Sequence, residues 1–246
     1  MFIDELPAKK VGCLMPLSVI ANPAYEFYRL APPGLMLVMV GCGLGEFSTE
    51  DVERVFKPLD AMLDQVMAHD VSFINQVGVP LPLLIGVAAH DALLAHISEY
   101  TGRPAISQLL NVIAALKHLK IKRLLVVNKW TDRMNAVLEE FLDREGISVV
   151  GAYTKSMTPK EFTRLPTKDS AELAYGLACH AVREHPTADG LFIGGGSWLS
   201  QPVCEQIERE TGRTSVCNIG AMVWNVSRLC GLWKPIQGHG RLLAES

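Results

Sequence analysis

The chain has 246 residues, of which 49% are hydrophobic and 20% charged, so it is long and apolar enough to build a large packed core. Its formal net charge of −3 gives no electrostatic reason to expect nucleic acid or an anionic membrane as a partner. The longest apolar run, residues 35–40, is too short to span a bilayer. The first ten residues lack the basic and apolar regions of a signal peptide, so we expect a cytoplasmic protein.

Two sequence patterns could indicate a metal or a cofactor, but neither has the residue spacing that such a site requires. The six cysteines are scattered, without a C-x-x-C or a paired Cys/His motif, so we expect reduced thiols and no zinc site. The loop Gly41-Cys42-Gly43-Leu44-Gly45 brings its third glycine one residue too early for a dinucleotide fingerprint. We therefore predict no metal and no cofactor.

Short apolar runs bounded by turn residues predict eight buried parallel strands. They cover residues 11–15, 35–40, 71–76, 104–106, 123–127, 148–151, 191–193 and 214–217. Apolar residues at helical spacing fill most of the intervening segments. Ser48 is predicted to cap a helix that Pro58 interrupts. Thr158 with Glu161, and Asp169 with Glu172, have the spacing of capping boxes. Residues 22–28 and 77–82 are predicted to be loops.

The segment 189–200, DGLFIGGGSWLS, combines a strand with a glycine-rich turn. A turn pair leads into the apolar run 191–193, which ends in Gly194-Gly195-Gly196-Ser197, and a helix restarts near Pro202. Ligands of open α/β sheets bind at the carboxyl ends of strands. Glycines there let the backbone approach a ligand closely and offer its N–H groups to an anion. We therefore predict an anion-binding turn at Gly195, Gly196 and Ser197.

An internal repeat is visible in the chain. Thr101-Gly102-Arg103 and Thr211-Gly212-Arg213 each close a predicted helix and open a short strand. The repeat predicts an α/β fold with two pseudo-symmetric Rossmann-like halves, each a four-stranded parallel sheet flanked by helices. We divide them into residues 1–106 plus 218–246, and residues 107–217. The site is then expected in the cleft between the halves, lined by Gly78 and Ser107 on one side and by Gly195 and Cys217 on the other.

An ordered set of motifs along almost the whole chain resembles the aspartate/glutamate/hydantoin racemase superfamily, closest to its arylmalonate decarboxylase and maleate isomerase branch. The motifs are Val11-Gly12 leading to Pro16, the 41–45 loop, the strand that ends at Gly78, Trp130 with Asp132 and Asn135, the 189–196 segment, and the tail 238–246. The fold of this superfamily, two pseudo-symmetric α/β halves, agrees with the internal repeat.

The resemblance implies a cofactor-independent enzyme for small carboxylates. Racemases of the superfamily use two cysteines as acid and base, and the decarboxylase branch keeps the second one as proton donor to an enediolate. The two positions correspond to Gly78 and Gly195 in this chain. Val79 and Pro80 stand where the family has small hydroxyl residues, and Trp130 stands where it has a tyrosine.

Other residues must then carry the chemistry. Lys129 ends a predicted strand beside Trp130, and a lysine in an apolar cleft can act as a base or a Schiff-base nucleophile; the alternative is a solvated loop lysine. Cys217 is a candidate proton donor, with a buried packing role as the alternative. Ser18 and Asn22 follow the first strand, where the family binds a substrate carboxylate.

We therefore predict a cofactor-independent, decarboxylase-like lyase that acts alpha to a carboxylate. Its substrate would be a small malonate-like or oxo acid, and its intermediate an enolate. The proton would come from Lys129, Cys217 or water. Two alternatives stay open: a racemase or cis–trans isomerase with a non-cysteine base, and an inactive protein that binds a small carboxylate. No oligomeric state is predicted.

Overall fold

The computed structural model describes residues 6–19 and 21–245, and they form two four-stranded parallel sheets. The first sheet has the order β2-β1-β3-β4 and the second the order β6-β5-β7-β8. The strands are β1 (Lys9–Met15), β2 (Leu35–Gly41), β3 (Ile74–Gln76), β4 (Ala105–Ser107), β5 (Arg123–Asn128), β6 (Ser148–Thr154), β7 (Gly190–Ile193) and β8 (Thr214–Cys217). All eight predicted strands and the two-sheet fold are confirmed.

Helices connect the strands and cover the sheets. They are α1 (Asn22–Leu30), α2 (Thr49–Phe56), α3 (Leu59–Met67), α4 (Pro80–Ile85), α5 (Val87–Thr101), α6 (Gln108–His118), α7 (Asp132–Asp143), α8 (Pro159–Arg164), α9 (Thr167–Glu184), α10 (Gln201–Thr211), α11 (Asn218–Leu229) and α12 (Arg241–Ala244). None of the helices in the described ranges is long and apolar enough to cross a membrane.

Most of the predicted helix boundaries have the expected chemistry. The Ser48 hydroxyl accepts the Asp51 N–H at 3.2 Å, and Pro58 separates α2 from α3. Thr158 and Glu161 form the predicted capping box of α8. The predicted cap at Asp169 is wrong, because α9 already begins at Thr167, directly after a proline, and has no side-chain cap.

The segment 22–28, predicted as a loop, lies in helix α1, and the second predicted loop, 77–82, is a loop only over residues 77–79 because α4 begins at Pro80. Each helix has a proline in its first turn, where the missing N–H costs nothing and the fixed φ favours a helix. In α1, Phe27 and Leu30 are buried against the core, and in α4 Leu81 and Leu83 are buried. These contacts are made with distant parts of the chain, which is why local composition did not predict the two helices.

The internal repeat extends to individual hydrogen bonds. In Thr101-Gly102-Arg103 and again in Thr211-Gly212-Arg213, the threonine hydroxyl donates to the carbonyl four residues earlier at 2.7 Å. It also accepts the arginine N–H at 3.2 Å in both copies. Both glycines are left-handed, with φ of 63° and 67°. The two halves therefore share the same hydrogen-bonded connection between a helix and the following strand.

One continuous apolar core lies between the two sheets. It contains side chains of β1 and β5, one strand from each sheet, together with the facing sides of α6 and α11. Separate clusters under α3 and α5, and under α9 and α10, cover the outer faces. Each parallel sheet is thus covered on both faces, as parallel sheets generally are, and the strands of both sheets direct their carboxyl ends toward one cleft.

Candidate functional site

A cavity of about 280 Å³ lies in this cleft. Its wall is built from segments that follow each of the eight strands, so both halves contribute to it. The lining residues are Met15, Pro16, Leu17, Val19, Ala21, Asn22, Pro23, Leu44, Phe47, Val77, Gly78, Pro80, Gln108, Lys129, Trp130, Phe162, Thr163, Leu165, Thr167, Gly195, Gly196, Ser197, Asn218 and Ile219.

Most of the predicted site residues line this cavity. They are Asn22, Gly78, Pro80, Lys129, Trp130, Gly195, Gly196 and Ser197. Residues far apart in the sequence meet there because parallel strands end at the same edge of a sheet, and the two sheets place those edges opposite each other.

Two predicted binding residues lie outside the cavity wall. Ser18 is exposed, and its hydroxyl packs over Gly43, 3.1 Å from where a β-carbon of that glycine would be. Val79 is fully buried in the central core. Neither side chain is placed to contact a ligand in the cavity.

Cys217, predicted as a proton donor, is also absent from the wall. It is the N-cap of α11: its sulfur accepts the Gly220 N–H at 3.4 Å, and its thiol donates to the Gln201 Oε1 at 3.1 Å. Ser107 plays the same part in the first half, where its hydroxyl accepts the Leu110 N–H at 3.2 Å. The side chain of an N-cap turns back toward its own helix, and in Cys217 this directs the thiol away from the cavity.

The next residues in the chain, Gln108 and Asn218, line the cavity and were missed by the sequence analysis. They are pseudo-symmetric mates, the first residues of α6 and α11. The Gln108 Nε2 donates to the Asn218 carbonyl at 2.8 Å, and the Asn218 Oδ1 accepts the Gly195 N–H at 3.4 Å. The internal repeat predicted Ser107 and Cys217 as cleft residues, each one position before the residue that lines the cavity.

Lys129 is the only ionisable side chain in the cavity wall among the residues that the structure describes. It is 1% exposed. Its Nζ donates to the Ser197 hydroxyl at 2.9 Å and lies 4.5 Å from the ring centre of Phe162 and 4.7 Å from that of Trp198. Burial lowers the pKa of this amine from its usual value near 10.5 to about 6, because desolvation disfavours the charged form.

The glycine-rich turn lies directly against this amine. Gly195 has a φ of +126°, and a β-carbon there would lie 3.1 Å from the Lys129 Cε and 3.7 Å from its Nζ. A glycine allows both the backbone conformation and the close contact. The N–H groups of Gly196 and Ser197 donate to no protein acceptor in the described part of the chain, so they are free to bind an anion.

Helix α1 holds this turn in place from the other half. The Asn22 Nδ2 donates to the Ser197 carbonyl at 3.0 Å. One turn later on the same helix, the Glu26 Oε1 accepts the Gln201 N–H at 2.9 Å, where α10 begins. Residues four apart on α1 therefore hold the segment 197–201, which leads from the turn into α10.

The rest of the wall is largely apolar. The apolar side chains include Leu44, Phe47, Val77, Pro80, Phe162 and Leu165. Across the described ranges, no group of three or more His, Cys, Asp or Glu side chains is arranged to hold a metal ion. The cavity can thus bind one small anion at a single amine and a set of backbone N–H groups, with apolar surface around them.

Comparison with known proteins agrees with this architecture. Arylmalonate decarboxylase from Bordetella bronchiseptica is 26% identical over 245 residues, which is 99% of this chain and 100% of that protein. A Gly-to-Cys, Cys-to-Ser double mutant of arylmalonate decarboxylase in its liganded form has a TM-score of 0.85 at 24% identity, covering 97% of this chain and 100% of the other. Nocardia farcinica maleate cis-trans isomerase, solved as a Cys-to-Ser mutant with a covalently bound succinylcysteine intermediate, has a TM-score of 0.80 at 17% identity, covering 97% and 99%.

The site differs from that isomerase in one chemical respect. The succinylcysteine of the isomerase is formed on a cysteine, whereas the cavity wall of this chain has no cysteine among its described residues. The family model described as arylmalonate decarboxylase nevertheless matches residues 18–243, which include every strand that borders the cavity except β1. With that match and the shared two-sheet fold, the chain is an enzyme of decarboxylase or isomerase type and belongs to the arylmalonate decarboxylase family.

Proposed function

We propose that the protein is a cofactor-independent, decarboxylase-like lyase that acts alpha to a carboxylate of a small malonate-like or oxo acid. The observation that carries this proposal is the amine of Lys129, the single ionisable group that the described residues bring to the cavity. It lies beside backbone N–H groups that have no protein acceptor in the described ranges, in a largely apolar wall. A decarboxylation through an enolate needs a place for the retained carboxyl or carbonyl group, an apolar place for CO₂, and one group that supplies a proton.

The retained group would bind at the glycine-rich turn. The N–H groups of Gly196 and Ser197, together with the Ser197 hydroxyl, can donate to its oxygens. When CO₂ leaves, negative charge moves onto these oxygens, and donors that are already in position stabilise the enolate more than the bound substrate.

The carboxylate that leaves would lie against the apolar wall near Leu44, Phe47 and Leu165. Apolar surface solvates a carboxylate poorly and neutral CO₂ well, so it favours loss of the charge. At about 280 Å³, the cavity is just below the usual range of about 300–1,000 Å³ for ligand pockets, which suits a small acid.

Lys129 would exchange the proton with the alpha carbon. Its ammonium form can neutralise the bound acid and then protonate the enolate, leaving the amine to recover a proton from water. The sequence resemblance assigns the family's second cysteine position to Gly195, and the Lys129 Nζ lies 3.7 Å from the β-carbon that any such side chain would have. This proximity supports the lysine as the functional replacement of a thiol.

Proton NMR in D₂O tests the proposal with a panel of substituted malonates, 3-oxo acids, maleate and amino acids. We expect loss of a carboxylated compound with deuterium appearing at its alpha carbon. Lys129→Met should slow turnover at least about 100-fold, the usual effect of losing a general acid or base. Lys160→Met is the matched control, because Lys160 is exposed on the neighbouring helix α8 and is absent from the cavity wall.

Two other outcomes would replace the proposal. Deuterium exchange without loss of CO₂ would indicate a racemase or an isomerase that uses a non-cysteine base. Broadening of ligand signals without any turnover across the panel would indicate a protein that only binds carboxylates.

A further inference from the structure

The surroundings of Lys129 distinguish between the two substrate classes of the proposed function. We infer that the substrate is a 3-oxo acid and that the Lys129 amine forms a Schiff base with its ketone. This inference rests on the proposed function and names the substrate class of the same site.

The burial of Lys129 favours the amine over the ammonium form. Its side chain is 1% exposed, and among the described residues its Nζ has one hydrogen-bonding partner, the Ser197 hydroxyl. Cation–π contacts with the rings of Phe162 and Trp198 are the other interactions that would offset the water lost around a positive charge. No carboxylate lines the cavity in the described ranges to balance a positive charge. A lysine desolvated in this way is a nucleophile at neutral pH, consistent with its pKa near 6.

A ligand approaches the amine from the cavity, because Lys129 lines the cavity wall next to the glycine-rich turn. Gly195 has no side chain, and even a β-carbon at this position would be 3.7 Å from the Nζ. A ketone carbon in the cavity can therefore reach the nitrogen, while the N–H groups of Gly196 and Ser197 hold an oxygen of the same molecule.

The chemistry balances without a further reactant. The Lys129 nitrogen adds to the ketone carbon, and loss of one water gives the protonated imine. The bond from the alpha carbon to the carboxylate then breaks, its electron pair forms the enamine double bond, and CO₂ leaves. The alpha carbon takes up one proton, and one water hydrolyses the imine to the ketone and the free amine. The net reaction converts the 3-oxo acid and a proton into a ketone and CO₂.

A protonated imine also reduces the negative charge that the cavity must stabilise. The electron pair released with CO₂ is accepted by the positively charged nitrogen, so the site need not stabilise a full enolate. A malonate has no ketone and would depend on the ammonium form, which the surroundings of Lys129 disfavour. The Ser197 hydroxyl, 2.9 Å from the Nζ, is placed to move protons during formation and hydrolysis of the imine.

Reduction with sodium borohydride tests the covalent step. The protein is incubated with acetoacetate or with 3-oxo-3-phenylpropanoate, reduced, and measured by intact-mass spectrometry and peptide mapping. We expect an adduct with the mass of the decarboxylated ketone less one oxygen, located on Lys129, and turnover lost in the same proportion. Lys160→Met should be trapped like the wild type, whereas Lys129→Met and Lys129→Arg should not, and phenylmalonate should give no adduct.

The outcomes separate this inference from the proposed function. Decarboxylation of 3-oxo acids with no adduct on Lys129, or faster turnover of malonates than of 3-oxo acids, would overturn the Schiff base while the lyase stands. An adduct on Lys129 that keeps its carboxylate, with no CO₂ released, would support the covalent step and contradict the lyase. As a second readout, decarboxylation in H₂¹⁸O should label the ketone product at the rate of turnover, and an unlabelled product would refute the imine.

Discussion

At the scale of single residues, the burial that would make Lys129 reactive also destabilises the fold. A lysine that is 1% exposed with no counter-charge in the described cavity wall must give up its proton to be buried. Between pH 6 and 10.5 the unfolded chain therefore binds one proton more than the folded chain at this position. Stability should rise with pH across that window, and the full cost of burial should be present below pH 6.

Replacement of this lysine by a methionine of similar shape should stabilise the fold. We expect Lys129→Met to raise the free energy of unfolding by about 5 kcal/mol at pH 7, since about 3.5 pKa units separate pH 7 from the usual lysine pKa of 10.5 and one unit corresponds to about 1.4 kcal/mol. The gain should shrink toward pH 10. Urea unfolding at several pH values measures it, with Lys160→Met as the control. A variant less stable than the wild type at pH 7 would show that the amine contributes more by its contacts than it costs by burial.

The pH dependence of turnover follows from the same amine. For a 3-oxo acid, kcat/KM should rise about tenfold per unit as the pH increases toward 6 and level off above it, because the amine form of the free enzyme is the reactive one. A malonate that uses the ammonium form should show the opposite profile, falling above pH 6. Initial rates between pH 4.5 and 9 test this, and a falling profile for the 3-oxo acid would contradict an attacking amine.

At the scale of elements, each Thr-Gly-Arg segment ends a helix and connects it to the strand that follows. The glycine ends a helix in the left-handed conformation, and the threonine hydroxyl ties the last turn to the strand that follows. Both copies deliver a short final strand whose last residue caps a helix that borders the cavity. Helix ends of this kind commonly need glycine.

A matched pair of glycine substitutions tests this connection. No atom outside its immediate chain neighbours lies within 4 Å of the β-carbon positions of Gly212 and Gly176, so steric clash contributes to neither. Gly212→Ala should destabilise by about 1 kcal/mol because φ is +67°. Gly176→Ala, in the exposed interior of α9, should stabilise by about 0.5–1 kcal/mol. Thermal or urea unfolding measures both, and changes of the same sign would contradict the assignment of a strained cap.

At the scale of the whole molecule, the cleft depends on buried polar contacts between elements of the two sheets. Helix α1 contacts the glycine-rich turn and the start of α10 through Asn22 and Glu26. The central helices α6 and α11 are joined by a hydrogen bond in which the Asn225 Nδ2 donates to the Asn111 Oδ1 at 2.8 Å. We propose residues 1–106 plus 218–246 and residues 107–217 as the two halves. The core between their sheets is continuous.

The buried carboxyl of Glu26 makes the contact between α1 and the start of α10 sensitive to pH. It is 1% exposed, and its Oε2 has no partner in the described residues. Burial raises the pKa of its carboxyl from 4.5 to about 7. The folded chain therefore holds one proton more than the unfolded chain between pH 4.5 and 7, and stability is lost as the pH rises through that window.

Replacement of Glu26 by the neutral glutamine should remove this pH-dependent loss of stability. Glu26→Gln should match the wild type near pH 4.5 and exceed it by about 3.5 kcal/mol above pH 7, because its amide oxygen can still accept the Gln201 N–H. Arg29, Glu205 and His239 line the small cavity beside Glu26 and are unchanged in both proteins, so the difference between the two stability curves isolates Glu26. Parallel curves from pH 4.5 to 8 would contradict the raised pKa.

The sequence by itself determined the eight strands, the two-sheet fold, the internal repeat and part of the cavity wall, because apolar runs, caps and glycine turns are local signals. Helices α1 and α4 escaped prediction, since their helical state depends on side chains buried by distant elements. Only the tertiary structure decided that Cys217 caps a helix and that Gln108 and Asn218 face the cavity. It alone brought Lys129 against Gly195, Ser197 and two aromatic rings, because the surroundings that set a lysine's charge come from residues scattered along the chain.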